Sequence, residues 1–189
     1  MRKLGFIVSE VAAVLLFSCS SQITVNVQTN GQGPAFELEN IAGGTTKSAD
    51  LRGNVSVLDI WATWCEPCIT EIPKFNHLFE EYRNKDVRVV GITAVSPHDD
   101  IAPKAKQYGM KYTILVGDDA VVDGFGGVVG WPTTFVLTKD WAIYKKYVGA
   151  LPDKEARIKK DIDTLLKEGD EGAAPSSPVI KTGPESRIE

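Results

Sequence analysis

The feature that most constrains this chain is a cysteine pair, Cys65 and Cys68, in the stretch "WATWCEPCITEIP". Upstream of it, Val55 to Trp61 is an apolar run that reads as a buried strand, interrupted by the charge of Asp59. Downstream, Ile69, Ile72, Phe75, Leu78, Phe79 and Tyr82 recur at helical spacing. A helix therefore starts at Cys65 or its neighbour, with Pro73 kinking it. A strand passing into a helix through a CxxC leaves three readings open: a structural disulfide, half of a metal site, or a dithiol that does chemistry.

The start of the chain bears on that choice. Residues 1–19 open with Arg2 and Lys3, continue through a mostly apolar stretch to Phe17 and end at Cys19, the layout of an export signal too short for a comfortable membrane span. Leu16-Phe17-Ser18-Cys19 resembles a bacterial lipobox, so Cys19 is expected to carry the lipid anchor. A plain cleaved signal or an uncleaved anchor would equally place the domain outside the cytoplasm, in the bacterial cell envelope (periplasm or outer face of the membrane). With 189 residues the chain can bury a core without a three-residue disulfide loop, which weakens the staple reading. A zinc site would want two further ligands; there is no second cysteine pair, and His77 and His98 show no ligand spacing. A net charge of −4 without a basic stripe excludes nucleic acid as a partner.

The rest of the sequence reads as one folded unit. Residues 20–33 are a linker and 34–168 the domain. "VRVVGITAV" at 87–95 is a second buried strand, Ser96 to Gly109 a helix, and Tyr112 to Val116 a short strand. After the glycine-rich "DGFGGVVG", "PTTFVLT" and "WAIYKKYVG" form a hairpin through Lys139-Asp140. A last helix runs from Asp153, as its cap, to Glu168, closed by Gly169. Residues 169–189 carry proline, serine and charge without periodicity and are expected to be disordered. Alternating strands and helices imply an α/β fold with a parallel core.

These motifs together resemble the thioredoxin fold, and more specifically the membrane-anchored thiol-disulfide oxidoreductases of the TlpA and ResA type. Trp64-Cys65-Glu66-Pro67-Cys68 resembles their WCxPC signature, Pro73 their helix-kinking proline, and Trp131-Pro132-Thr133-Thr134-Phe135 their cis-proline segment. The resemblance implies a central mixed sheet flanked by helices, with an extra strand and helix inserted near Pro97 to Asp119, between the CxxC half and the cis-proline half. It also implies a monomer with no bound cofactor beyond the Cys65-Cys68 disulfide, re-reduced by a membrane thiol-electron donor. The client is a disulfide-bearing protein such as apocytochrome c. Backbone beside cis Pro132 would pair with that client, with Trp64, Pro67, Trp131 and Thr133 as contacts.

Position then suggests roles. Cys65 at a helix N-terminus gains thiolate character and is the attacking nucleophile, while Cys68, one turn inward and less exposed, resolves the mixed disulfide. Asp59, buried in its strand, would have a raised pKa and could exchange protons with Cys68. Thioredoxins have an aspartate at this place, whereas the TlpA and ResA type relies on a glutamate three residues after the second cysteine, here Glu71. This chain has both. Glu66, between the cysteines, opposes thiolate formation on Cys65 and favours the disulfide form. Two alternatives remain: a disulfide oxidant or isomerase, and a thioredoxin-fold copper chaperone using Cys65, Cys68 and His98.

Overall fold

The computed structural model describes residues 31–171, with side chains described through residue 168. The predicted export signal with Cys19, most of the 20–33 linker and the tail beyond 171 lie outside the described residues.

Seven strands form one mixed sheet in the order β2-β1-β5-β4-β3-β6-β7. They are β1 (Glu37–Asn40), β2 (Thr45–Lys47), β3 (Val55–Trp61), β4 (Val87–Thr93), β5 (Thr113–Val116), β6 (Thr133–Leu137) and β7 (Ile143–Val148). β3, β4 and β5 are mutually parallel, and the remaining pairings are antiparallel. β3 lies between β4 and β6, and all seven of its residues are buried. The uninterrupted apolar run reflects this, because both faces of a central strand are covered.

The helices are α1 (Ser48–Leu51), α2 (Glu66–Tyr82), α3 (His98–Gln107), α4 (Asp119–Gly124) and α5 (Lys154–Glu171). One face of the sheet carries α2, α3 and α5: Phe75, Leu78, Ile101, Ile158 and Ile162 pack with Val55, Val57 and Trp61. On the other face, Leu51 of α1 and Val121 of α4 pack with Leu58, Ile60 and Phe135. Strand alternation thus aims Asp59, between Val57 and Trp61, at the α2 and α5 face.

Several boundaries differ from the sequence expectation. β4 stops at Thr93, because the chain turns at Val95, whose φ is 50°. α3 begins at His98 behind Pro97 and ends at Gln107, with Gly109 left-handed just beyond. α5 continues past Gly169 to Glu171, so neither its closure nor the start of the tail falls at that glycine. The Asp153 carboxylate accepts from Arg157 Nε at 2.8 Å, pairing along the helix. At the other end of the domain, Gln32 bridges to Ala142 and Gly33 N–H donates to the Trp141 carbonyl, so residues 31–33 belong to the fold rather than to a linker. The β1–β2 hairpin and helices α1 and α4 are elements that the periodicity does not announce.

One tight contact gives a stability prediction. A Cβ at Gly117 would lie 2.2 Å from the Thr93 carbonyl oxygen and 2.7 Å from the Ile92 methyl, both parts of the central sheet. Gly117→Ala is expected to lower stability by about 1–3 kcal/mol, read as an earlier urea midpoint with unchanged slope.

Candidate active site

β3 delivers the chain through Ala62, Thr63 and Trp64 to the start of α2. Cys65 is the N-cap residue: its backbone is extended, and its sulfur accepts the Cys68 N–H at 3.2 Å. Glu66 and Pro67 open the helix, and proline is tolerated there because a first-turn N–H has no partner within the helix. Cys65 and Cys68 are joined as a disulfide. Both cysteines are only 2% exposed, so Cys65 is not the more open of the two. As N-cap, it turns its sulfur inward onto the helix's own first turn.

Two hydrogen bonds clasp this turn to the end of β4. Thr63 N–H donates to Ser96 Oγ at 3.0 Å, and the Trp64 indole N–H donates to the Val95 carbonyl at 2.8 Å. The rest of the Trp64 ring is exposed and meets Trp131 edge to face, with centroids 5.4 Å apart. Glu66 and Pro67 are also exposed beside the disulfide. The Trp131–Pro132 peptide is cis, and the Pro132 carbonyl accepts from Gly149 N–H at 2.7 Å. Thr133 is fully buried and its hydroxyl donates to the Gly130 carbonyl at 2.7 Å, which holds the loop and takes that side chain away from any client.

A buried charge network joins β3, β6, α2 and α5. Asp59 is 2% exposed, and Glu71 and Lys154 are 1% exposed each. Lys154 Nζ donates to Glu71 Oε2 at 2.5 Å and to Thr134 Oγ1 at 3.3 Å. The Thr134 hydroxyl donates to Asp59 Oδ1 at 2.7 Å. Lys74, at the edge of the site, reaches the other oxygen of Glu71 at 3.3 Å. The two acids thus have unequal neighbours: Glu71 lies between two ammonium groups, and Asp59 directly holds one hydroxyl. Burial pushes the Asp59 carboxyl up to about 7, against the lowering pull of Lys154 and of the Thr134 hydrogen bond, with Glu71 adding to the rise.

That shift has a stability consequence. The ordinary aspartate value is 3.8, so between 3.8 and about 7 the folded chain holds a proton that the unfolded chain releases. The stability contributed by this group is fully present below pH 3.8 and is lost as pH rises toward 7, by a few kcal/mol in order of magnitude. Asp59→Asn should flatten this slope in urea titrations run from pH 4 to 8.

Lys154 is the site residue that sequence reasoning missed. One signal was available: a lysine in the first turn of a helix sits against the positive end of the macrodipole, a poor position unless something else holds it. His98, by contrast, pairs with Glu39 at 3.0 Å, and among the described residues no group of three His, Cys, Asp or Glu side chains could hold a metal ion. The structure therefore does not bring His98 to the cysteines.

Residues 29–146 match the AhpC/TSA family. The chain belongs to the AhpC/TSA family. The chain is 30% identical to the thioredoxin-like protein YneN of Bacillus subtilis, over 78% of its own length and 88% of that relative. It is 31% identical to the thiol-disulfide oxidoreductase ResA of Bacillus thuringiensis, over 75% and 79%. The crystal structure of a thiol:disulfide interchange protein of the thioredoxin family from Chlorobium tepidum superposes with a TM-score of 0.65 at 24% identity, covering 72% of this chain and 97% of that one, which establishes the fold. This AhpC/TSA member is a thioredoxin-like protein of the TlpA and ResA type and a thiol-disulfide oxidoreductase.

Proposed function

We propose that the protein works as a dithiol reductase outside the cytoplasm, tethered to the membrane through Cys19, acting as a monomer and using no bound cofactor beyond the Cys65-Cys68 pair. The observation that carries this reading is the disulfide at the N-terminus of α2, following the exposed Trp64 ring that meets the half-buried Trp131, in a chain whose preceding strand holds a protonatable buried carboxyl. The export-type leader supports the location. Among the described residues no helix is long and apolar enough to cross a membrane, so a tether has to come from elsewhere in the chain.

In the forward reaction the reduced Cys65 thiolate attacks one sulfur of a client disulfide. A Cys65–client bond forms, the client S–S bond breaks, and the departing sulfur takes a proton. Cys68 then loses its proton to a buried carboxylate and attacks Cys65. The Cys65–Cys68 bond forms, the client's second sulfur leaves as a thiolate and is protonated, and the client has gained two electrons. The Trp64 and Trp131 rim, with Pro67, is the surface on which a client would rest; the negative charge of exposed Glu66 favours the oxidised pair and so makes the dithiol a stronger reductant. A membrane thiol-electron donor would return the pair to the dithiol.

The client class proposed is the pair of haem-binding cysteines of an apocytochrome c. Reduced protein mixed with an oxidised CxxCH peptide should transfer its electrons faster than to a generic disulfide such as that of insulin. Equal rates would point to a general oxidant or isomerase. Copper titration that leaves both thiols free to react would remove the chaperone alternative.

A further inference from the structure

Val95 holds a strained backbone that the fold itself does not explain. Its φ of 50° lies in the left-handed region, where a β-branched side chain crowds the backbone. Among the described residues, the other left-handed positions are glycines and Trp141. At Trp141 the packing offsets the strain: the residue is 1% exposed, donates its indole N–H to the Pro34 carbonyl at 3.1 Å and meets Phe36 edge to face. Val95 is 70% exposed and gains no such burial. Glycine would make the same turn without crowding, so the valine side chain has its use outside the folded chain. We propose that Val95 is a specificity-determining residue for the exchange at Cys65, meeting an apolar residue that lies close in sequence to the cysteine of the client. The inference rests on disulfide exchange at Cys65 and on neither direction of electron flow.

Geometry fixes where the valine stands. Its carbonyl accepts the Trp64 indole N–H at 2.8 Å. Next to it, the Ser96 hydroxyl accepts from Thr63 N–H at 3.0 Å and donates to the Ala94 carbonyl at 3.1 Å, so the turn is held to the approach to α2. The step from Cys65 to Trp64, the indole and its hydrogen bond place the Val95 Cα no more than about 14 Å from that of Cys65. An extended client spans this distance in about four residues.

The surroundings set the chemistry of what is met. Among the described residues, the large apolar side chains left exposed are Trp64, Val95, Val129 and Val148. They share one flank. Trp64 bonds Val95 and touches Trp131, Val129 lies two residues before Trp131, and a Cβ at Gly130 would stand 2.8 Å from a Val148 methyl. Exposed apolar surface gathered in one place marks a contact site. Any client in exchange must bring its sulfur to Cys65, beside this flank, which makes the client polypeptide the occupant.

The test uses full-length reduced protein and peptides with one cysteine capped by thionitrobenzoate. The Cys65 thiolate attacks the peptide sulfur, a Cys65–peptide disulfide forms, and coloured thionitrobenzoate leaves as a thiolate. A single leucine is moved through the four positions on either side of the cysteine, with serine elsewhere, and rates are read relative to capped N-acetylcysteine. The wild type should favour leucine over serine by about tenfold at one or more of these positions. Val95→Gly and Val95→Asn, which both accept a left-handed backbone, should cut that preference to about twofold or less, and Val95→Ile should keep it. Both strain-relieved variants should also show later urea midpoints than the wild type, which a valine serving the fold would not give. No release by the wild type, or release retained by Cys65→Ala, would count against exchange at Cys65 itself. With exchange intact, three results would overturn the proposal: no favoured leucine position in the wild type, a preference that survives in both Val95→Gly and Val95→Asn, or earlier urea midpoints in both.

Discussion

Cys65→Ala should abolish disulfide reduction altogether, and Cys68→Ala should instead accumulate client bound through Cys65. The two cysteines are joined to each other in the structure and lie three residues apart at the start of one helix, yet their places differ. Cys65 is the N-cap, beside the unpaired N–H groups and positive end of α2, where a thiolate is favoured. Cys68 lies one turn in, with its own N–H donated to the Cys65 sulfur. Without Cys65 no mixed disulfide forms. Without Cys68 the mixed disulfide forms and waits for an external thiol. Non-reducing gels of the two variants after exposure to a disulfide client read the difference directly. Turnover retained by either variant would contradict the two-step exchange.

The second large effect concerns stability. Glu71→Leu or Lys154→Met alone leaves an uncompensated charge at a position 1% exposed, and each is expected to cost about 3–5 kcal/mol. The double variant Glu71→Leu with Lys154→Met should recover most of this loss, because what is costly is the orphaned charge and not the missing pair. Urea midpoints of the wild type, the two single variants and the double variant measure it. Additive losses would mean that the pair stabilises by its own attraction. The neighbouring Lys74 bond, with its lysine partly exposed, is too screened to replace Lys154.

How much of this was legible in the sequence follows from what each feature depends on. β3 and α2 could be read because their patterns are local: an apolar run for a strand covered on both faces, and a 3.6-residue period for a helix packed on one. The cis proline segment and the WCxPC pair were recognisable by resemblance. Asp59 stood out because a charge inside an apolar strand has to be explained by burial. The hairpin of β1 and β2 was not legible, since strands of four and three residues at a sheet edge carry too few buried positions to set a period. Lys154 was hidden for a different reason. Its partner Glu71 lies 83 residues away on another helix, and only the packing of α2 against α5 brings the two together. Thr133 shows the converse, a residue that the motif placed against the client and that the strand buries. The relative exposure of Cys65 and Cys68 was likewise beyond the spacing, which tells which residue caps the helix but not which way the capped sulfur points.

The direction of electron flow is the heart of the functional reading, and the equilibrium reduction potential of the Cys65-Cys68 pair addresses it most directly. It can be measured on the full-length protein in dithiothreitol or glutathione buffers of graded ratio. A value near that of thioredoxin, about −270 mV, is required of a dedicated reductant fed with electrons through the membrane. A value near that of a strong periplasmic oxidant, about −120 mV, would reverse the flow and make the protein a donor of disulfides.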